Sequence, residues 1–254
     1  MTKMKKNTYE ILLTGFLFLL TVPVIAHLVF SAFGYNPTDD GFTLSYARRI
    51  LEGQVPHRDF IIIRPFLSPL LHTPVVWLAG ENMYWVSRLI VWFQMAWISL
   101  CGVLLLRRSF AWLNHPINLF LLAVASFAFT ATTWPIMAWH TIDGLMFLVT
   151  GFLLIGLHGR VWRYSGFFLI GAACLCKQSF ALALPLSLCI TGYWRDWKAW
   201  VSTFMACAFY GLFVVTTGSF SDTLIQFMSH TSLALVFKRI IMSLGTYAFL
   251  SYIA

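Results

Sequence analysis

The chain has 254 residues, of which 59% are hydrophobic and only 10% charged, and its mean hydropathy is +0.79. So little charge cannot cover the surface of a water-soluble domain, and unbroken apolar runs of about twenty residues exclude the alternating pattern of a membrane β-barrel. The net charge of +8 comes from short basic clusters between apolar runs, so the sequence predicts no nucleic-acid partner.

Apolar segments follow one another along the whole chain. They lie at about 11–33, 83–106, 117–134, 143–158, 164–176, 179–194, 199–217 and 240–254. The first is too long for a cleaved signal peptide and is expected to remain as an anchor. The sequence therefore predicts an all-α polytopic transmembrane bundle of about eight membrane segments, forming one domain over residues 1–254 without a soluble C-terminal domain.

The basic clusters predict the orientation of this bundle. They lie at Lys3–Lys6, Arg107–Arg108, Arg160–Arg163 and Arg195–Lys198, in alternate connections. Under the positive-inside rule these connections face the cytoplasm together with the N-terminus. We therefore expect a multi-pass protein of the cell membrane whose first long loop, about 34–82, faces outward.

The outer loop begins with a predicted helix lying along the membrane surface. Its apolar stripe at helical spacing consists of Phe42, Tyr46 and Ile50. Gly53 suits the C-terminal end of this helix. Thr38 or Asp39 can cap its N-terminus, so a purely structural role for the neighbouring acids stays open.

Charged residues are concentrated in the same loop. Two acids are adjacent, Asp39 and Asp40, and the arginines are Arg48, Arg49, Arg58 and Arg64. A guanidinium binds phosphate oxygens in a bidentate manner, and an ionised carboxylate beside it can accept a proton. The pattern therefore predicts a site that handles a phosphate, with a local ion-paired turn at 57–59 as the alternative for Arg58.

Lys177 lies between two apolar segments that are short for a full crossing. The segments 164–176 and 179–194 predict a tight helical hairpin with this lysine at its tip. Because a cation near membrane depth needs a compensating anion, we expect Lys177 to contribute to the same phosphate site.

Three further polar residues lie at the outer ends of apolar segments. His140 and Asp143 are three residues apart on one helical face, which makes them weak candidates for holding a divalent cation or orienting an acceptor. Asp143 can alternatively cap a helix, and Arg88 has either a structural or a phosphate-binding role. The five cysteines are interpreted as small core residues.

Several short motifs occur in a fixed order along the chain. They are Asp39-Asp40-Gly41, Tyr46-Ala47-Arg48, Leu51-Glu52-Gly53, Pro56-His57-Arg58-Asp59-Phe60, Arg64-Pro65-Phe66, Gly80 with Arg88-Leu89, His140 to Asp143 with Gly144-Leu145, and Leu175-Cys176-Lys177-Gln178. In this order they resemble the GT-C membrane glycosyltransferases, in particular the group of protein O-mannosyltransferases, aminoarabinose transferases and RgtA-like lipid-sugar transferases. The resemblance spans about residues 11–195.

The resemblance implies an inverting transfer of a sugar from a polyprenyl-phosphate donor to a glycan, lipid or protein acceptor at the outer face. Asp39 matches the position of the catalytic base in that family, and Asp40 is the supporting acid. The candidates for binding the substrate or the lipid phosphate are Arg48, Arg58, Arg64, Arg88, Asp143 and Lys177. Metal dependence differs among such enzymes, so no cofactor is assigned, although a divalent metal is compatible with the site.

Two other function classes remain open at this point. A transporter or lipid flippase would also place charge at membrane depth, although its ionisable residues would gather near the midplane. A catalytically inactive fragment that only binds lipid phosphate is the third interpretation, since the chain stops inside an apolar run at 251–254 and is expected to be cut short.

Overall fold

The computed structural model describes residues 3–34 and 41–230 of the chain. Among these residues there is no β-strand, and ten α-helices dominate. They are α1 (Lys3–Phe30), α2 (Phe42–Leu51), α3 (Leu67–Ala79), α4 (Met83–Leu106), α5 (Pro116–Thr133), α6 (His140–Ile155), α7 (Arg160–Cys176), α8 (Ala183–Ile190), α9 (Trp197–Thr216) and α10 (Phe220–His230). The predicted all-α class is confirmed.

Four helical stretches within the described residues are long and apolar enough to cross a membrane. They are Tyr9–Phe30, Leu67–Leu106, Pro116–Thr133 and Trp197–Thr216. The apolar stretches His140–Ile155 and Gln178–Ile190 are shorter, and the predicted segment 240–254 lies outside the described residues. The apolar helices therefore agree with a membrane protein, whereas the predicted count of about eight segments is not confirmed.

Helix α3 corrects the extent of the predicted outer loop. The sequence assigned all of 34–82 to that loop, but Leu67–Ala79 forms an apolar helix that leads through the short turn Gly80–Asn82 into α4. Gly80 has a φ of +51°, which glycine adopts without a Cβ penalty, so the turn can redirect the chain. Four residues of α3 are buried: Ser68, Pro69, His72 and Val75.

Helix α2 agrees with the predicted helix of the outer loop at its C-terminal end. Gly53 has a φ of +82°, and the amides of Gly53 and Gln54 donate to the carbonyls of Ile50 and Arg49. This double hydrogen bond is a Schellman motif, which requires a left-handed residue after the helix. The other end differs from expectation: Gly41 occupies the N-cap position with no side-chain cap, and Thr38 and Asp39 lie outside the described residues.

The basic clusters in the described connections lie at one end of the bundle, which we call the basic end and define by the residues 107–108, 160–163 and 195–198. Arg108 donates to the carbonyl of Leu153 near the end of α6. The hydroxyl of Tyr164 in α7 donates to Asp196, which caps the start of α9. These contacts hold the three connections next to one another. This is the arrangement expected when successive helices cross the membrane in opposite directions.

The opposite end of the bundle, which we call the cavity end, gathers the polar residues of the outer loop. It comprises the end of α1, the start of α6, the connection after α7 and the end of α9. Arg88 donates to the carbonyls of Ser31 and Phe33 after α1, at 2.6 and 2.7 Å. Arg58 donates to the carbonyl of Thr217 after α9, at 3.2 Å. The loop 52–66 therefore spreads across this end of the bundle.

Glycines bring the backbones of α6, α7 and α9 into direct contact. A Cβ on Gly151 of α6 would lie 2.7 Å from the carbonyl oxygen of Gly166 in α7. A Cβ on Gly171 of α7 would lie 1.9 Å from the carbonyl oxygen of Thr203 in α9. Small residues at such crossings allow the close packing that holds helices together in a membrane.

The α7–α9 crossing gives a direct test of this packing. Gly171→Ala is expected to lower the free energy of unfolding by about 1–3 kcal/mol, because the added methyl group overlaps a backbone oxygen that cannot rotate away. The measurement is thermal or denaturant unfolding of the purified chain in detergent. Gly211→Ala is the matched control on α9, since a Cβ there meets nothing within 4 Å. Equal stability of both variants would contradict the close crossing.

Candidate functional site

A cavity of about 250 Å³ lies at the cavity end of the bundle. Its walls come from α2, the loop before α3, the starts of α3 and α6, and the end of α7. Most lining side chains are apolar, and they include Phe42, Tyr46, Ile62, Ile63 and Trp139. The polar part of the wall comes from Arg64 and His140 together with the hydroxyl residues Thr43 and Ser68. The cavity therefore combines an apolar lining with a cationic side.

Arg64 reaches the start of α6 from the outer loop. Its Nη1 donates to Nδ1 of His140 over 2.8 Å. Because a guanidinium has no acceptor atom, Nδ1 of His140 carries no proton, and the imidazole is neutral with its hydrogen on Nε2. His140 stacks on Trp139 with ring centroids 4.9 Å apart and is 8% exposed. The arginine is thus directed at a neutral, oriented histidine.

Lys177 approaches the same place from the end of α7. Helix α7 ends at Cys176, which lines the cavity, and Lys177 is extended, with φ −155° and ψ 130°. Its Nζ donates to the hydroxyl of Thr141 over 3.0 Å. Burial, and to a lesser degree the positive charge of Arg64, lower the pKa of Lys177. Within the described part of the chain no carboxylate forms an ion pair with this lysine.

The residue after Lys177 ties the two cationic segments together. Nε2 of Gln178 donates to the backbone carbonyl of Ile63 over 2.7 Å. Ile63 precedes Arg64, so this bond fixes the loop beside the α7 end. On the other side, the hydroxyl of Thr43 in α2 donates to the carbonyl of Ala138 over 2.9 Å. Side-chain to backbone hydrogen bonds therefore close the ring of segments around the cavity.

Asp143 is fully buried beneath the cavity and has its own set of partners. Its oxygens accept hydrogen bonds from Ser68, His72 and Gln94, with Nε2 of Gln94 at 2.7 Å. Gln94 lies three turns into α4, about 16 Å from the start of that helix at 1.5 Å per residue. Asp143 therefore joins α3, α4 and α6 at depth, a position that suits a structural anchor below the cavity.

The predicted pairing of His140 with Asp143 in a metal site gains no geometric support. His140 is engaged by Arg64, whereas Asp143 is engaged by three side chains of α3 and α4. Across residues 3–34 and 41–230, no group of three His, Cys, Asp or Glu side chains is placed to hold a metal ion. His140 and Asp143 both lie at the start of α6, but their side chains contact different neighbours.

The other predicted cations lie apart from Arg64 and Lys177. Arg48 is exposed and pairs with Glu52 one helical turn later. Arg58 is also exposed and pairs with Asp59, and this hydrogen bond, followed by one from the Val55 amide, lowers the pKa of Asp59. The alternative of a local ion-paired turn at 57–59 therefore agrees with the structure.

Arg88 is buried and faces the end of α1. Besides Ser31 and Phe33, it donates to the carbonyl of Gly34 over 3.3 Å. These carbonyls belong to the turn after α1, where no helical amide follows to donate to them, and the buried arginine satisfies them. This geometry favours the structural alternative for Arg88.

The two predicted catalytic acids, Asp39 and Asp40, lie outside the described residues. Their assignment therefore stays a prediction. In the sequence, the cavity-lining residues Phe42 and Thr43 follow Asp40 within three positions.

Sequence reasoning missed the partners of Asp143 and the tether Gln178. Ser68 and His72 lie four positions apart and therefore on one helical face. Gln94 is a lone amide inside an apolar run. Polar side chains inside apolar segments usually face a protein partner, so the sequence already indicated that these three side chains have buried polar partners. Nothing in the local sequence links Gln178 to Ile63.

Comparison of the chain with known proteins finds no matching family model, no matching curated protein and no matching solved structure.

Proposed function

We propose that this chain is an inverting glycosyltransferase of the membrane that uses a polyprenyl-phosphate-linked sugar. The observation that carries the proposal is the proximity of Lys177, which follows the cavity-lining Cys176, to Arg64, which lines the same mostly apolar cavity. Two neighbouring positive charges attract an anion. Since the cavity wall is otherwise mostly apolar, the anion that fits best is the phosphate of a lipid.

The proposed reaction needs a base and a stabilised leaving group. The hydroxyl oxygen of the acceptor attacks the anomeric carbon of the sugar and loses its proton to Asp39, with Asp40 orienting the base or the acceptor. The bond between that carbon and the phosphate oxygen breaks on the opposite face, and its electron pair leaves with the lipid phosphate. Arg64 and Lys177 stabilise the developing charge, so the leaving group needs no proton.

The proposal includes an orientation in the cell membrane. We place the basic end in the cytoplasm together with the N-terminus, and the cavity end outside, with about eight membrane segments over the full chain. Segregation of the described basic connections to one end supports this arrangement.

A cysteine-labelling experiment tests the orientation. Glu52→Cys, at an exposed site of the cavity end, is expected to react with a membrane-impermeant maleimide in intact cells. His158→Cys, at an exposed site of the basic end, is expected to react only after lysis. Labelling is measured as the increase over the wild-type chain, whose Cys189 is exposed. The reverse pattern would remove the proposed outer active site.

A transporter or flippase is the second candidate, and the burial of Asp143 is the observation that favours it. An acid bonded to Gln94, which lies three turns into α4, resembles the intramembrane acids of transport proteins. Its oxygens, however, are already occupied by three protein side chains, which leaves the cavity itself as the better site for a ligand.

Transfer of a radiolabelled sugar separates these candidates. The full-length chain, purified and reconstituted in nanodiscs, is supplied with a panel of polyprenyl-phosphate-linked sugars and a membrane extract containing acceptors. Loss of label from the lipid with appearance in an acceptor supports the glycosyltransferase. Label that remains on the lipid but crosses the bilayer of proteoliposomes supports a flippase, and binding without either change supports an inactive lipid-phosphate-binding protein.

A further inference from the structure

A hydrogen-bond network outside the cavity holds the loop that carries Arg64. Its centre is Gln226 of α10, which meets the loop near His57 and Ile62. The side-chain Nε2 of Gln226 donates to the backbone carbonyl of His57 over 2.8 Å. Its Oε1 accepts from the backbone amide of Ile62 over 3.1 Å. One side chain thus satisfies two backbone groups of the loop, five residues apart.

The backbone partners of Gln226 determine which atom donates and which accepts in each hydrogen bond of this network. An amide hydrogen needs an oxygen and a carbonyl needs a donor, so Oε1 and Nε2 of Gln226 cannot be exchanged. Nδ1 of His57, 3.0 Å from the same Oε1, must therefore donate to it. Nε2 of His57 is left as an acceptor, and it receives the hydroxyl hydrogen of Tyr210 in α9 over 2.6 Å.

His57 itself indicates that the network imposes a conformation on the loop. Its φ is +70°, and it is the only described residue other than glycine with a positive φ. Such a backbone costs about 1 kcal/mol or more for a residue with a Cβ and persists only where the surroundings enforce it. His57 is 2% exposed, and its ring packs against Phe66 and Phe227. Burial lowers the pKa of His57, so the ring is neutral at pH 7.

We infer that Gln226 is a positioning residue for Arg64, which acts by fixing the loop 57–62 from outside the cavity. Ile62, which Gln226 holds, lies two positions before Arg64, and Gln178 holds Ile63 between them. The loop is thus fastened to α10 on one side and to the end of α7 on the other. The ligand in this inference is taken from the proposed phosphate site. The contact between Gln226 and the loop is independent of that proposal.

A double-mutant cycle tests whether Gln226 acts through Arg64. The probe is a short-chain isoprenyl phosphate, whose affinity for the purified full chain is measured in detergent. Gln226→Leu keeps the approximate volume and removes all three hydrogen bonds, and it is expected to weaken binding about tenfold. In the Arg64→Met background the same substitution is expected to add little. Ser221→Ala, at an exposed position of α10, is the matched control and should leave affinity unchanged.

Hydrogen exchange of the loop provides a readout that needs no ligand. In Gln226→Leu the amide of Ile62 loses its acceptor, so a peptide covering residues 57–64 is expected to exchange at least about tenfold faster than in the wild type or Ser221→Ala. If the wild type binds no isoprenyl phosphate, the proposed function fails, and exchange still decides whether Gln226 holds the loop. Unchanged exchange, or additive losses of affinity in the double mutant, would overturn the inference.

Discussion

Replacing Asp39 with asparagine is expected to reduce the rate of sugar transfer by about 10²–10⁴-fold, the usual cost of losing a general base. Asparagine has nearly the same size but accepts no proton, so donor affinity is expected to change little. Gly41 is the N-cap residue of α2 and no side chain caps this helix end, so the substitution removes no cap seen at this helix. Initial rates at saturating donor, together with donor binding, measure the two effects separately.

Glu52→Gln is the control for this experiment, because it also neutralises an acid of the outer loop. Glu52 forms only an exposed pair with Arg48, which contributes little to stability. Near-normal transfer by Asp39→Asn with loss of transfer in Asp40→Asn would exchange the roles of the two acids. If neither substitution slows transfer in an active preparation, the proposed mechanism is wrong.

Lys177→Met is expected to weaken binding of a polyprenyl phosphate by roughly 30-fold or more. A charge-assisted contact in a site of low polarity contributes about 2 kcal/mol, and its loss is not compensated by an apolar side chain. The measurement is equilibrium binding to the purified chain. Lys198→Met is the control at the basic end, where the lysine lies over the ring of Trp197, and it should leave affinity unchanged.

A second variant separates the charge of Lys177 from its hydrogen bond. Thr141→Val removes the hydroxyl that accepts from Nζ but leaves the cation in place. We expect a smaller loss of affinity than for Lys177→Met. Full affinity of a folded Lys177→Met variant would show that this lysine does not bind the phosphate.

The sequence predicted those features of the site that have a local cause. The end of α2 at Gly53 and the end of α7 before Lys177 follow from a glycine requirement and from the length of apolar runs. Arg64 and Lys177 were both expected to contribute to one phosphate site. Their proximity agrees with that expectation, while the binding of phosphate stays a prediction.

The remaining features depend on contacts between distant parts of the chain. Asp143 was assigned to substrate binding because a membrane acid usually faces a cavity, but its partners come from α3 and α4. Arg48 was assigned to the phosphate although Glu52, at the favourable spacing of four residues, was visible in the sequence. Helix α3 was missed because its prolines and the polar residues before it obscured a short apolar run.

The glycine contact between α6 and α7 has a consequence for motion at the cavity. Because Gly151 and Gly166 bring the two backbones together, sliding or tilting one helix against the other would drive backbone atoms into overlap. His140 at the start of α6 and Cys176 at the end of α7 are therefore walls of one rigid unit. Any change in the width of the cavity would therefore have to come from its other walls, among them α2.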